Sequence, residues 1–290
     1  MKKILVPVDY SDYSDNAVRY AIAIAKKINA EIHLVHVLEI PELIPMAGVM
    51  MWPLENFEEL KEESDEDLSK YISKLKMDFI LSAPYFPTIT YSTEKGSVKH
   101  IINHLSSSQH FDLVVMGLAG ANKLHQFFLG SNSRDVIAKT KVPLLLVPKD
   151  AAFAPPRKIA FATDLSESDL NSIQVIARLF SMYDPEILLV HVNNNLTDLH
   201  DPGTPENVFL NNVKCKLNYS KIYYRHVTAI DVNEGLKWIS ENGLINILAM
   251  IHRHPSIFSR ILDGSHTKKM ASVLPLPLLV MPEDRTPIGR

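Results

Sequence analysis

Apolar residues fall in two rhythms along this chain. ILVPVD, EIHLVHV, TITYSTE, FDLVVMG and VPLLLVP are short apolar runs closed by polar turns, which predicts buried strands. Between them, SDNAVRYAIAIAKKI places apolar residues three and four apart and predicts an amphipathic helix capped by Ser14 or Asp15. The charged run ENFEELKEESDEDLSKYISKLKMDFI predicts a long surface helix, GSVKHIINHLSSS the next, and SNSRDVIAKT the last. Strands that are apolar throughout and separated by helices imply a parallel sheet covered on both faces. Right-handed crossovers make it doubly wound, with ligands beyond the carboxyl ends of the strands, where the strand order switches. Asp9, Val37 and Gly117 fall at strand ends of this kind.

The pattern then repeats. KKILVPVDYSDYSDNAVRYAIAIAKKINAEIHLVHV (2–37) aligns with RKIAFATDLSESDLNSIQVIARLFSMYDPEILLVHV (157–192), with Asp9 on Asp164 and LVHV on LVHV. KVPLLLVPK (141–149) aligns with PLPLLVMPE (275–283). The offset is 155 at the start and 134 at the end, so the first half carries about 21 more residues between its second and third strands. The expected division is a first domain over 1–148, a linker over 149–156 rich in proline and small residues, a second domain over 157–283, and a tail over 284–290.

Composition narrows the class. The chain has 290 residues, enough for about two domains. A net charge of -3 gives no general attraction to nucleic acid or anionic membranes, so neither is expected as a partner. No apolar run reaches membrane-spanning length. The opening MKKILVPVDYSD is too short in its apolar part for a signal peptide, being interrupted by Asp9 and Asp12. A single cysteine, Cys215, fits a reducing compartment, and the expected location is the cytoplasm.

The candidate chemistry lies in GLAGANKLHQFFLGS (117–131). Neither common nucleotide fingerprint is present. Gly117 and Gly120 would let main-chain N–H groups approach a phosphate and adopt left-handed torsions. Gly130 and Ser131 precede a predicted helix, whose free N–H groups favour an anion. A di- or triphosphate fits between the two segments, across ANKLHQFFL. Glycines after a strand also form ordinary turns, and the residues alone leave both readings open.

The combination G-x2-G-x9-G-S after DLVVM, with the opening ILVPVDYSDYSDNAVRYA and LVHV closing the second strand, resembles the universal stress protein family in its tandem form. The likeness covers nearly all of 1–148 and, more weakly, 157–283. It implies two tandem five-stranded parallel sheets with flanking helices, like the adenine-nucleotide α-hydrolases, paired within the chain as a pseudo-dimer through the fifth strands. It further implies a stress-associated regulatory protein that binds ATP, or AMP or ADP, with or without Mg2+. Asp9 matches the aspartate beside the nucleoside, and Val37 the residue whose backbone meets adenine. Gly117, Gly120, Gly130 and Ser131 match the phosphate and ribose loop, with Asn132 a further donor. Asp9 equally suits a turn cap, and Val37 plain strand core.

The second half departs from this pattern. Ile251 and His254 stand where Gly117 and Gly120 stand in the first, and Asp263 precedes Gly264. A β-branched residue at a position needing positive φ is strained, so the second half is not expected to bind ATP in the same way. His252, Arg253 and His254 offer an anion site through side chains, or loop histidines in solvent; with His266 they do not form a recognised zinc spacing. The insert EIPELIPMAGVMMWPLENF (39–57) suits a lid, a surface for an unknown protein partner, or a loop packed on its own domain. Further dimerisation of the pseudo-dimeric chain stays open. Two other functions also remain: slow ATP hydrolysis or nucleotidyl transfer with His125 and Lys123 at the same loop, and a scaffold that binds no nucleotide. No committed acid–base pair favours catalysis.

Overall fold

The structure is a computed structural model that describes residues 1–39, 57–80, 86–118, 136, 140–193, 203–252 and 276–283. The first half runs β1 (Lys2–Val8), α1 (Asp12–Ile28), β2 (Ala30–Leu38), α2 (Phe57–Ile80), β3 (Ile89–Lys95), α3 (Val98–Ser108), β4 (Leu113–Leu118) and β5 (Leu144–Pro148). The second repeats the order with β6 (Lys158–Ala162), α4 (Ser168–Leu179), a 3₁₀ turn (Ser181–Tyr183), β7 (Glu186–Asn193), α5 (Pro205–Lys216), β8 (Ile222–Thr228), α6 (Val232–Asn242), β9 (Ile247–Ile251) and β10 (Leu278–Met281). Most of the helix expected over 131–140, and residues 40–56 of the insert, lie outside the described residues.

Helix α1 begins one turn earlier than its apolar periodicity suggests. The cap is Ser11, whose hydroxyl accepts from Ser14 N–H at 3.3 Å, and not Ser14 or Asp15. The cause lies upstream: Ser11 is already held in extended conformation by Asp9, so the chain enters the helix directly from the turn after β1. Asp12 and Asp15 in the first turn and Lys26 and Lys27 in the last complement the helix dipole. Asn29, at φ 53°, closes the helix in the left-handed conformation.

The ten strands among the described residues form one sheet in the order β3-β2-β1-β4-β5-β10-β9-β6-β7-β8. Neighbours are parallel within each half, and the central pair, β5 with β10, is antiparallel. There Leu146, Leu145 and Leu144 face Leu278, Leu279 and Val280. Alternate residues of each strand feed opposite faces. Ile4, Val6, Leu145, Phe161 and Leu279 join one core, under α1, α2, α4 and α5. Leu5, Leu144, Leu146, Ala160 and Leu278 join the other, under α3 and α6. Each core therefore runs unbroken through the seam between the halves.

Polar contacts reinforce that seam. Lys2 Nζ donates to the carbonyls of Arg178 and Leu179, both at 2.9 Å, placing an ammonium on the negative end of α4. Tyr183 Oη donates to Ala23 O at 3.3 Å. The segment expected to be a plain linker is tied down: Asn16 Nδ2 donates to the carbonyls of Pro148 and Ala151, and Tyr20 packs edge-on to Phe153.

Candidate functional site

Three of the seven residues singled out in the sequence lie among the described residues, and all three sit at the carboxyl ends of strands. Asp9 follows β1, Val37 is the penultimate residue of β2, and Gly117 that of β4. β1 and β4 are neighbours, and connections leave them in opposite directions, toward β2 and β3 on one side and β5 on the other. That is the switch point at which doubly wound sheets open a crevice. Gly120, Gly130, Ser131 and Asn132 lie outside the described residues, as do Arg253, His254 and Asp263 of the second half.

Asp9 keeps part of its surface in solvent and builds a tight turn. Its Oδ1 accepts from Ser11 N–H at 3.0 Å and Ser11 Oγ–H at 2.6 Å, and its own N–H donates to Ser14 Oγ at 3.4 Å. Partial burial works to raise its pKa, but the hydrogen bonds from Ser11 and Ser14 outweigh this and hold the carboxyl below its ordinary value. Between Asp9 and Ser11, Tyr10 takes φ 59°, a conformation costly for a bulky residue. The second half repeats this turn: Asp164 Oδ1 accepts from Ser166 N–H at 3.2 Å, and Leu165 has φ 66°. The turn is thus part of the fold in both halves, and the capping role of Asp9 is present whatever else it does.

Gly117 departs from the sequence expectation. It lies within β4, paired with Val147, and does not use a left-handed torsion. Its lack of a side chain serves packing: a Cβ there would stand 2.5 Å from the Tyr13 carbonyl oxygen and 3.0 Å from Tyr13 Cβ. Ile251, its counterpart, lies in β9 opposite Met281 and has no positive φ either. The argument that isoleucine is strained there by torsion therefore does not hold. In the first half, α1 presses its first turn onto the end of β4. This contact also brings Asp9 and Gly117 together, since Tyr13 and Ser14 are consecutive in that turn.

Val37 is half-buried on β2. Leu38 O accepts from Gly96 N–H at 3.1 Å, and Ile32 N–H donates to Thr88 O, so even-numbered residues of β2 turn their main chain toward β3. Alternation turns the main-chain groups of Val37 toward β1, whose last paired residue is Val8, opposite His36.

Two neighbours of these residues were not picked out in the sequence. His36 Nδ1 lies 2.7 Å from Val8 O, so Nδ1 carries the proton and donates to the last carbonyl of β1. Its ring packs on Tyr10 at 5.1 Å, and Tyr10 packs edge-on to Tyr71 of α2 at 5.9 Å. His191 repeats the bond with Thr163 O at 3.0 Å. The repeated histidine in LVHV was the visible signal. Around α2, Tyr71 Oη donates to Asp15 at 2.9 Å and Arg19 bridges Asp15 and Asp78 at 2.7 and 3.1 Å. Among the described residues no cluster of three or more His, Cys, Asp or Glu side chains forms a metal site. No helix among them is long and apolar enough to cross a membrane.

Comparison with known proteins gives a consistent result. A family model described as the universal stress protein family matches residues 1–148. Universal stress protein MJ0531 of Methanocaldococcus jannaschii is 32% identical over 150 residues, covering 51% of this chain and 82% of that protein. Universal stress protein Slr1230 of Synechocystis is 23% identical over 296 residues, covering 96% of this chain and 99% of its own, so its length spans both halves. Among solved structures, a universal stress protein from Archaeoglobus fulgidus superposes with a TM-score of 0.65 at 17% identity, covering 97% of this chain and 98% of that one. It shares the fold through both halves.

Proposed function

The chain belongs to the universal stress protein family, and on that premise we propose that its first half is a regulatory adenine-nucleotide site. The second half, 157–283, serves as its structural partner. The observation that carries this reading is that Asp9, Val37 and Gly117 fall at the carboxyl ends of β1, β2 and β4, the end at which the β1–β4 switch point opens. The residues present suit an adenine nucleotide. Ser11 occupies Oδ1 of Asp9, which leaves Oδ2 as an acceptor, and the main chain of Val37 is turned toward the open end of β1. Gly120, Gly130, Ser131 and Asn132 supply main-chain and side-chain donors for the phosphates in this reading, with or without Mg2+.

Native mass spectrometry of the purified full chain tests the proposal directly. It is expected to find AMP, ADP or ATP retained in a one-to-one complex. Thermal melts with ATP, with and without Mg2+, are expected to shift upward, by an amount that at a hundredfold excess over Kd corresponds to about 2.7 kcal/mol. Gly120→His, which copies the residue of the second half, is expected to weaken ATP at least about tenfold. No retained nucleotide and no thermal shift would overturn the reading. Gly117 is unsuitable for this test, because any side chain there collides with α1.

A further inference from the structure

The repeat supplies an internal comparison for the groove between the first and second helices of each half. In the first half that groove is full. Helix α2 has 24 residues, and near its end the ring centroid of Phe79 lies 4.7 Å from Lys26 Nζ and 5.9 Å from Arg19 Cζ, both of α1. Phe86 packs on Phe79 at 6.2 Å, and Ile22 of α1 is fully buried. In the second half α5 has only 12 residues and ends at Lys216. The alignment of 2–37 with 157–192 sets Gln174, Ala177 and Ser181 where Arg19, Ile22 and Lys26 stand. All three are smaller. A shorter second helix and smaller side chains on the first therefore fall on the same place.

A cavity of about 300 Å³ opens there, with Gln174, Ala177, Arg178, Ser181, Leu217 and Tyr219 in its lining. That is the small end of the range for pockets that hold small molecules. Tyr219 Oη donates to Pro185 O, which fixes the ring in the wall. The charge around it is one-sided. Arg178 stands where the first half has Ala23, is exposed, and makes no ion pair among the described residues. The Lys2 ammonium, on the carbonyls of Arg178 and Leu179, offsets the negative end of α4. Glu167 of the adjoining groove is matched by Lys216, and Asp184 beside Tyr219 by Lys221.

We propose that this groove is a binding site for a small aromatic carboxylate. The ring takes the place that Phe79 fills in the first half, against Ala177, Leu217 and Tyr219. The carboxylate pairs with Arg178, whose planar guanidinium suits two parallel hydrogen bonds. The first half sets the precedent for the ring, since the same groove there holds a phenyl group beside two cations. A cationic ligand would meet Arg178 and Lys2 with like charge, and a neutral one would leave the guanidinium unused. The groove also borders Ile222, the first residue of β8. It thus lies in the other half, and at the other end of its strands, from the nucleotide site, and the two stand or fall separately.

Titration of the full chain with benzoate, followed by heteronuclear NMR, tests the proposal. Saturable shifts are expected at the amides of Ala177 and Leu217. Benzyl alcohol, which keeps the ring and lacks the charge, is expected to bind at least about tenfold more weakly. Arg178→Gln, at an exposed position, is expected to weaken benzoate at least about tenfold and to leave benzyl alcohol unchanged. Ala177→Ile restores the residue of the first half and is expected to remove the binding of both while keeping the melting temperature, because the added volume enters empty space. No saturable shift, shifts confined to other residues, benzyl alcohol as tight as benzoate, or benzoate indifferent to either variant would each overturn the proposal. So would early melting of Ala177→Ile, the mark of a groove already full.

Discussion

A methyl group at Gly117 would meet the carbonyl of Tyr13, a backbone atom that moves only if the first turn of α1 moves with it. Gly117→Ala is therefore expected to cost about 1–3 kcal/mol, the usual range for overpacking a tight contact. Chemical denaturation of the full chain without nucleotide measures this. The nucleotide-free condition separates packing from ligand binding, since a glycine kept only to make room for phosphate would show no loss. The glycine was legible in the sequence, but its reason was not. A sequence shows that a side chain is missing and not which neighbour presses into the space. Asp9 carries the same lesson. Its match to Asp164 pointed to a shared structural duty, and the paired turns to Ser11 and Ser166 are that duty. A role in one half only cannot be read from a position the other half also needs.

At the scale of elements, β2 and β3 are joined by His33, whose two ring nitrogens meet the hydroxyls of Thr90 and Ser92. Burial is the main cause that lowers its pKa below 6.5; Lys3 adds to the effect and Glu94 opposes it. The sign follows. As pH falls below about 6.5, the unfolded chain takes up a proton that the folded chain resists. Stability held above that pH is then lost as the pH descends toward the folded-state value. His33→Gln, which keeps hydrogen-bonding atoms but cannot titrate, is expected to show a smaller drop in melting temperature between pH 7.5 and pH 5.5. An equal drop in both proteins would show that His33 is not the group responsible. His252, also depressed by burial, contributes in the same direction from the second half and stays in both proteins. Most elements were visible in advance because a doubly covered sheet needs strands that are apolar along their whole length. The start of α1 was not. Ser14 and Asp15 sit where a cap would suit the apolar rhythm, while the true cap is set by a turn whose geometry no periodicity records. The repeated LVHV marked His36 but not its partner, because its bond to the end of β1 joins residues 28 positions apart.

Over the whole molecule, the two halves do not meet as separate bodies. The family resemblance, laid over the repeat in the sequence, anticipated that the fifth strands would pair within the chain, and β5 and β10 do so, antiparallel. Neither showed that both cores cross the junction. Leu145 and Leu279 are fully buried, face each other in register and belong to one cluster with residues of both halves. Lys2 and Tyr183 add hydrogen bonds across the same junction. Opening the seam would expose this shared core and uncap α4, so neither half has a route to unfold while leaving the other intact. Calorimetry of the full chain is expected to give one cooperative transition, with equal calorimetric and van't Hoff enthalpies. Leu145→Ala and Leu279→Ala are each expected to cost about 2–5 kcal/mol, as buried leucines do. Because the two side chains share one neighbourhood, the double variant is expected to lose less than the sum, with a coupling on the order of 1 kcal/mol. Two resolved transitions, or strict additivity at the seam, would mean that the halves fold independently and that the junction only tethers them.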